Sequence, residues 1–280
     1  MDWLAPAPGK TIVDGTFGGG GHSRLIADQI GDDGTLIAMD RDSGAIQRFG
    51  GVMADASARI ELINDSYHSL PQVMESLDIG AVDGILLDLG LSSDQLADRQ
   101  RGFSYQSDGP LDLRFDDSCG ESAAELLRRL PEKAIADLIY QFGEERFSRR
   151  IARKIAERRK QRNAVRTAQD LAELVRRCVP RSKNHSIDPA TRTFQALRIA
   201  VNQELDIVRT AMQRLPQCLS PGGRLVVITF HSLEDRIVKH TLRESELLTI
   251  ETKKPLTAST EEIANNARSR SAKLRVATRV

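Results

Sequence analysis

A repeated pattern of short apolar runs, each followed by an acidic or amide residue, constrains the fold of this sequence more than any other feature. The runs are Lys10–Asp14, Thr35–Met39 before Asp40, Ile60–Ile63 before Asn64, and Val82–Leu87 before Asp88. Helical patterns separate them, and strands that alternate with helices are typical of a parallel sheet. The sequence therefore predicts an α/β fold.

The alternation stops after the fourth strand and resumes only near the C-terminal third. Leu89–Gly120 is rich in Gly, Ser, Asp and Pro, and a loop of this length is usually functional. The pattern then predicts helices and a late return to strands; the segments are helices Ser122–Leu130, Pro131–Tyr140, Glu144–Arg162, Thr167–Cys178 and Thr191–Leu215, a polar linker Pro180–Pro189, a turn Pro221–Gly223, and strands Arg224–Phe230 and Ala272–Val276. We expect residues 1–105 and 190–280 to form one domain, interrupted by an all-helical domain of residues 106–189.

Composition excludes several classes of protein. No apolar run approaches the roughly 18 residues that a spanning helix needs, which argues against a membrane protein. The start of the sequence lacks the basic and apolar regions of a secretory signal. Cys119, Cys178 and Cys218 stand far apart, which argues against a disulfide framework and a zinc site. We therefore expect a cytoplasmic protein without a bound metal.

Positive charge is concentrated in one part of the chain. The net charge is only +1, yet residues 123–183 hold 17 Lys or Arg against 8 Asp or Glu, a local net of +9. Of the 40 basic residues, 31 are arginine, which suits bidentate phosphate contacts. The densest cluster is Arg149, Arg150, Arg153, Lys154, Arg158, Arg159, Lys160 and Arg162. This cluster favours a large anionic partner over a metabolite, with a solvated helix face as the alternative.

The glycine run Gly18–Gly21 follows the first predicted strand, and Asp40 follows the second. An acid roughly 20 residues beyond a glycine loop is typical of ribose recognition. The G-x-G-x-x-G fingerprint of dinucleotides fails, and so does the P-loop pattern. S-adenosylmethionine lacks phosphates and carries a cationic sulfonium, which nearby acids attract. Gly20, Gly21 and Asp14 could bind its amino-acid end, so this cofactor is favoured.

Long motifs in this sequence resemble the RsmH (MraW) family. The segments that carry the resemblance are Val13–Ser23, Ala38–Asp42, Leu86–Ser93, Arg101–Ser104, Gly109–Asp112, Gly143–Phe147, Thr191–Ile199 and Phe230–Arg236. The resemblance implies a Rossmann-like class I methyltransferase sheet, interrupted by an inserted helical substrate-recognition domain. It further implies S-adenosylmethionine-dependent methylation of N4 of cytidine 1402, in the decoding region of small-subunit ribosomal RNA. The expected partner is that RNA or the small ribosomal subunit, and the basic cluster would contact RNA phosphates.

The resemblance also implies which residues bind the cofactor: Gly20, Gly21, His22, Asp40, Tyr67, Asp88 and Gln95. In this reading Asp40 binds ribose, Tyr67 forms an aromatic wall for adenine, and Asp88 lies near the reacting end. Two segments depart from the family pattern: the part before the first strand is nearly absent, and the region after Leu242 is short.

The catalytic group is predicted less directly. Cytosine N4 is a poor nucleophile, so the enzyme must position it and accept a hydrogen bond from it. Many amino-methyltransferases carry an Asp/Asn-Pro-Pro-aromatic turn after the fourth strand, where this sequence reads Asp88-Leu89-Gly90-Leu91. We expect Asp88 to act, with His231 or Asp112 as secondary candidates. Structural alternatives remain for Asp88 as a cap, for Tyr67 as packing and for His231.

Two other functions stay open at this stage. The chain could be a non-catalytic ribosome-assembly factor, or a methyltransferase for another substrate. Methylation at carbon 5 of cytosine requires a cysteine nucleophile, and no cysteine follows a predicted strand. The oligomeric state is not predicted.

Overall fold

The chain forms two compact units in a computed structural model that describes residues 1–180 and 188–280. One unit comprises Met1–Gly90 with Leu205–Val280, and the other comprises Leu91–Glu204. The predicted boundaries near residues 105 and 190 differ from these. Both the segment after Gly90 and the helix that ends at Asn202 belong to the helical unit, because their apolar side chains join its core. Most of the predicted linker 180–189 lies outside the described residues.

The first unit contains a seven-stranded sheet. Its strands are β1 (Thr11–Asp14), β2 (Thr35–Met39), β3 (Arg59–Ile63), β4 (Val82–Asp88), β5 (Leu219–Thr229), β6 (Leu248–Ile250) and β7 (Lys273–Arg279). Its helices are α1 (Gly21–Ile30), α2 (Ser43–Phe49), α3 (Leu70–Ser76), α11 (Ser232–Glu244) and α12 (Thr260–Asn265), with α10 (Glu204–Cys218) beginning at its boundary. The strand order is β3-β2-β1-β4-β5-β7-β6. All described pairings are parallel except those of β7, which runs antiparallel to β5 and β6. The predicted α/β fold with a Rossmann-like sheet is therefore confirmed.

Both faces of the central strands are buried. Leu86 and Val226 belong to one apolar cluster, whereas Leu87 and Val227 belong to another. Neighbouring residues of a strand point to opposite faces, so the two clusters lie on the two sides of the sheet. This burial explains why the centre of β4, Ile85–Leu87, is apolar without a break in the sequence.

The predicted turn at Pro221–Gly223 is a bulge within β5. Val82 pairs with Leu219 and Gly84 pairs with Arg224. Between these two pairs, β4 advances by two residues and β5 by five. The extra residues leave the ladder before the regular pairing of β5 begins at Arg224.

The second unit is helical. Its helices are α4 (Ser93–Ala97), α5 (Ala123–Arg129), α6 (Glu132–Gly143), α7 (Ser148–Lys160), α8 (Ala168–Cys178) and α9 (Ala190–Asn202). Ile139, Ile151, Val175 and Leu197 meet in one buried cluster that α6, α7, α8 and α9 share. No helix among the described residues is long and apolar enough to cross a membrane.

Two predicted helix bounds were wrong. The helix predicted from Glu144 begins at Ser148, because Glu144 adopts φ 51° and ends α6. The helix predicted over Thr191–Leu215 is broken at Gln203, with φ 53°. There the Asn202 side chain accepts from the Phe115 amide at 2.7 Å and donates to the Leu113 carbonyl at 2.7 Å, and these contacts fix the end of α9.

Candidate active site

Asp14, at the end of β1, organises the start of the glycine loop. Its side chain is fully buried and accepts hydrogen bonds from Ser23 Oγ at 2.7 Å and from the Thr16 amide at 3.1 Å. Burial raises the pKa of this carboxyl, and the bonds from Ser23 and Thr16 oppose the rise. Asp14 thus holds the loop against helix α1 through Ser23.

Thr16 connects the ends of two adjacent strands. The Asp88 amide at the end of β4 donates to Thr16 Oγ1 at 2.7 Å, and Thr16 Oγ1 lies 3.4 Å from Asp14 Oδ1. A single hydroxyl therefore links the acidic ends of β1 and β4.

The Asp88 carboxylate lies at the end of β4, at the same edge of the sheet. Its Oδ1 is buried and has no hydrogen-bond partner among the described residues, while Oδ2 lies 3.7 Å from His22 Nδ1. Burial raises the pKa of Asp88 to about 6; His22 lowers it, and the charges of Asp14 and Glu234 raise it. A buried oxygen without a partner costs free energy and is available to a donor on a bound molecule.

Asp40 follows β2 and holds the glycine loop from the other side. Its two oxygens accept from the amides of Gly18 and Asp42, each at 2.8 Å. Burial raises its pKa to about 6, although these two amide bonds lower it. The residue is partly exposed, and a carboxylate can accept further bonds beyond these two.

The glycine loop leads directly into helix α1. The Phe17 amide donates to the Met39 carbonyl at 2.9 Å, which fixes the loop to β2. Gly20 caps α1 with φ 77°, a left-handed conformation that favours glycine. At Gly21 an added Cβ would meet no heavy atom within 4 Å, so the first turn of the helix faces open space. The free amides of such a turn attract negative groups.

Tyr67 lies in the turn after β3. It is half-buried and packs against the apolar cluster that includes Leu87. A side chain at Gly15 would approach Tyr67 Cβ to 2.8 Å, so the two strand ends are in close contact here. The sheet unit thus brings together Gly20, Gly21, His22, Asp40, Tyr67 and Asp88 at one edge.

His231 caps helix α11. The Glu234 amide donates to His231 Nδ1 at 3.4 Å, and the buried Glu234 carboxylate lies 3.1 Å from Nε2. Glu234 also accepts from the Phe230 amide at 3.1 Å and the His231 amide at 3.3 Å. His231 therefore has a structural role in the capping box of α11, and a catalytic role for His231 stays a prediction.

Gln95 and Asp112 belong to the helical unit. Gln95 is buried and completes the capping box of α4, where Oε1 accepts from the Ser92 amide at 3.1 Å. Asp112 forms a bidentate ion pair with Arg114, at 2.8 and 2.7 Å. Both carboxylate oxygens of Asp112 are engaged in this pair, so the structure shows a structural role for it. Its catalytic role also stays a prediction.

The eight basic residues predicted to contact phosphates separate into two groups. Arg158 and Arg159 are half-buried: Arg158 pairs with Asp170, and Arg159 Nη1 donates to the carbonyls of Leu127, Arg128 and Leu130, at 3.1, 2.8 and 2.6 Å. The others are exposed; they are Arg149, Arg150, Arg153, Lys154, Lys160 and Arg162. The structure therefore favours these six for contact with a partner.

Two site residues were not found from the sequence. Thr16 and Ser23 shape the site through Asp14 and Asp88, as described above. Ser23 stands where the dinucleotide fingerprint would have its third glycine, so the departure from that fingerprint was itself the available signal.

Comparisons with known proteins cover the whole chain. A family model described as the MraW methylase family matches residues 1–280. A protein of Rhodopirellula baltica is 52% identical over 290 residues, with 100% of this chain and 89% of that protein aligned. A protein of Deinococcus deserti is 48% identical over 280 residues, covering 100% and 90%, and one of Syntrophotalea carbinolica is 46% identical over 300 residues, covering 100% and 95%. All three are named ribosomal RNA small subunit methyltransferase H.

Proposed function

The chain belongs to the MraW methylase family, and from this premise we propose that it methylates small-subunit ribosomal RNA with S-adenosylmethionine as the methyl donor. The proposed acceptor atom is N4 of cytidine 1402, in the decoding region. The proposal places the protein in the cytoplasm, where it meets ribosomal RNA or the small subunit.

The observation that carries this proposal is the Asp88 carboxylate at the end of β4. It combines a buried oxygen without a partner among the described residues with a pKa raised to about 6. Such a group is ionised at neutral pH and can accept a hydrogen bond or a proton from an amine. An exocyclic amine of a nucleobase supplies that donor.

The residues at this edge of the sheet fit S-adenosylmethionine. Asp40 is proposed for the ribose hydroxyls, Tyr67 for the adenine, and Gly20, Gly21 and His22 for the amino-acid end. There the amides of Gly21 and His22 are the proposed donors, because the Gly20 amide donates to the Phe17 carbonyl at 2.8 Å. The acids Asp14 and Asp88 favour a cation by Coulomb attraction, as a sulfonium requires. When bound, this cofactor supplies an electrophilic methyl group. Gln95, in the helical unit, is proposed as a further cofactor residue on the resemblance alone.

The chemistry required of the protein itself is positioning and acceptance of a proton. As N4 gains a bond, its N–H becomes more acidic, and an ionised Asp88 stabilises the developing positive charge. His22 Nδ1, 3.7 Å from Asp88 Oδ2, favours the ionised carboxylate. The target base must leave its stack, which costs least in a loop or single strand.

The helical unit is proposed as the RNA-recognition domain. Its six exposed basic side chains on and just after α7 would contact phosphates, and each such contact steepens the salt dependence of binding by about 0.7–0.9 in the log–log slope. These contacts give affinity and register rather than sequence choice.

Labelled methyl transfer tests the proposal. The purified chain is incubated with radiolabelled S-adenosylmethionine and, separately, naked 16S rRNA, assembled small subunits, and ribosomal protein. Nuclease digestion and mass spectrometry then locate the label. We expect N4-methylcytidine at one site. Label on protein or at another atom would assign a different substrate, and RNA binding without transfer would favour an assembly factor.

A pair of aspartates on β4 provides the control. Asp88→Asn removes the proposed acceptor at one end of the strand, whereas Asp83→Asn changes an aspartate near the other end, where Lys10 and the Thr11 amide contact it at 2.8 and 2.9 Å. We expect Asp88→Asn to lower kcat by about 10²–10³-fold, as loss of an aligned acceptor does, and Asp83→Asn to leave kcat within about twofold. Full turnover in Asp88→Asn would remove Asp88 from the mechanism.

A further inference from the structure

A cavity of about 300 Å³ lies between helices α7 and α8 of the helical unit. We call it the α7–α8 pocket. The side chains that matter here are Arg150, Lys154 and Arg158 of α7 and Leu174, Arg177 and Cys178 of α8. This volume reaches the lower end of the range for ligand sites.

The rim of the pocket is positively charged. Four cations line it against two acids, Asp170 and Glu173, which leaves a formal charge of +2. Arg158 is committed to Asp170 in a bidentate ion pair, and Arg177 lies 3.6 Å from Glu173. Among the residues that the structure describes, the Arg150 side chain makes a long contact, 3.5 Å, to the Arg177 carbonyl. Lys154 Nζ donates to Glu157 Oε2 at 2.6 Å. Exposed ion pairs of this kind contribute little free energy, so the exposed side chains of Arg150, Lys154 and Arg177 can turn toward an anion at small cost.

The floor of the pocket is apolar. Leu174 and Cys178 are buried, with 6% and 3% of their surfaces exposed. Burial raises the pKa of the Cys178 thiol above its usual value, so the group stays neutral at physiological pH. A charged rim over an apolar floor matches an amphipathic ligand better than it matches a free inorganic anion.

We propose that the α7–α8 pocket binds one nucleotide of the RNA substrate, other than the cytidine that is methylated. Its phosphate lies among Arg150, Lys154 and Arg177, and its sugar and base lie over Leu174 and Cys178. Arginine planes stack on unstacked bases in RNA complexes, and a carboxylate such as Glu173 can accept from a base amine. The pocket thus selects an extruded nucleotide at a second position. This inference rests on the proposed function and adds to it a second point of RNA recognition.

Titration with mononucleotides tests the pocket directly. Amide resonances of the full-length chain are followed by NMR while saturating S-adenosylhomocysteine fills the cofactor site. The probes are adenosine and uridine 5′-monophosphates, the corresponding nucleosides, and inorganic phosphate. We expect shifts in residues 150–158 and 170–178, with the mononucleotides binding at least about fivefold more tightly than phosphate or nucleoside. Equal binding of phosphate and mononucleotide would reduce the pocket to an anion site and overturn the proposal, as would the absence of shifts there.

Two matched double variants separate the pocket from general electrostatics. K154A/R177A removes one lysine and one arginine from the pocket, and R149A/K160A removes the same two residue types from exposed positions of α7 that do not line it. The pocket variant should weaken mononucleotide binding about tenfold, as expected when two screened ion pairs are lost. The control variant should retain it within about twofold. Equal effects of the two variants would refute a defined site.

The same variants keep this inference separate from the proposed function. Methyl transfer to rRNA by the wild-type chain tests the function, whereas the mononucleotide titration requires no turnover. If the wild type methylates rRNA and the two double variants weaken mononucleotide binding equally, the pocket proposal fails and the function stands. If the wild type transfers no methyl group but binds mononucleotides at the pocket, the catalytic proposal fails and the pocket remains.

Discussion

Substitution of Gly21 by alanine should raise stability and weaken cofactor binding in the same protein. Gly21 is the first residue of α1, its φ is not positive, and an added Cβ meets no heavy atom within 4 Å. Alanine at such a position restricts the unfolded chain, which stabilises the fold by about 0.4–1 kcal/mol. For a chain of this size, that corresponds to an increase in Tm of about 1–3 °C.

The effect on binding has the opposite sign. The open space beside Gly21 is where the proposed cofactor would lie, close to the backbone of the first turn. A methyl group in that space forces the ligand or the loop to move, and overpacking of this kind costs about 1–3 kcal/mol. We therefore expect Kd for S-adenosylmethionine and S-adenosylhomocysteine to rise by at least about fivefold.

Two measurements on two variants decide the matter. Thermal unfolding gives Tm, and titration calorimetry gives Kd, for Gly21→Ala and for Gly80→Ala. Gly80 precedes β4 at the opposite edge of the sheet, and a Cβ there also meets nothing within 4 Å, so this control should bind the cofactor as the wild type does. Wild-type affinity in Gly21→Ala would show that the cofactor lies elsewhere. A lower Tm would contradict the open space beside this residue.

Three further predictions concern titration and packing. Burial raises the pKa of Asp88 from about 3.8 in the unfolded chain to about 6, so the ionised carboxylate destabilises the fold and its contribution to stability falls as pH rises between these values. Methyl transfer should increase with pH through about 6, because the ionised form is the proposed acceptor. Asp88→Asn should raise Tm at pH 8 but change it little at pH 4. Arg158→Ala breaks the bidentate pair with Asp170 and should lower the free energy of unfolding, measured by chemical denaturation, by about 1–2 kcal/mol. Arg149→Ala should leave the free energy of unfolding unchanged and weaken RNA binding in a filter assay. Asn202→Ala leaves the Phe115 amide without its acceptor and should cost about 2–3 kcal/mol in the same denaturation assay; a loss below about 0.5 kcal/mol would contradict the buried contact.

The parallel strands could be predicted from the sequence because hydrophobic burial alone marks them. β2 has the predicted bounds, and β4 extends the predicted run by one residue, because strands buried on both faces are rich in apolar residues. The break at Gln203 could not be predicted in this way. It depends on the Asn202 side chain, which bonds to backbone groups almost 90 positions earlier, and no local pattern encodes that contact.

The candidate site also contains some residues that could be predicted from the sequence and others that could not. Acids at strand ends follow from topology, so Asp14, Asp40 and Asp88 were identifiable from the sequence. The capping role of His231 and the hydroxyl link through Thr16 depend on side-chain geometry at distances near 3 Å, which spacing does not specify. Within the basic cluster, periodicity predicted the helix. The tertiary contacts of Arg159 then distinguish a side chain that bonds to the end of α5 from side chains that are exposed to solvent.

The insertion of the helical unit between β4 and β5 has a consequence for biosynthesis. Ser220 Oγ in β5 bonds to the Val82 carbonyl in β4 across 138 positions of the chain. At translation rates of about 5–20 residues per second, roughly 7–28 s pass between the synthesis of Val82 in β4 and that of Ser220 in β5. During that interval one edge of an apolar strand stays open to pairing with other chains, a state that invites aggregation. We therefore expect the yield of folded protein to depend on how fast the helical unit is synthesised.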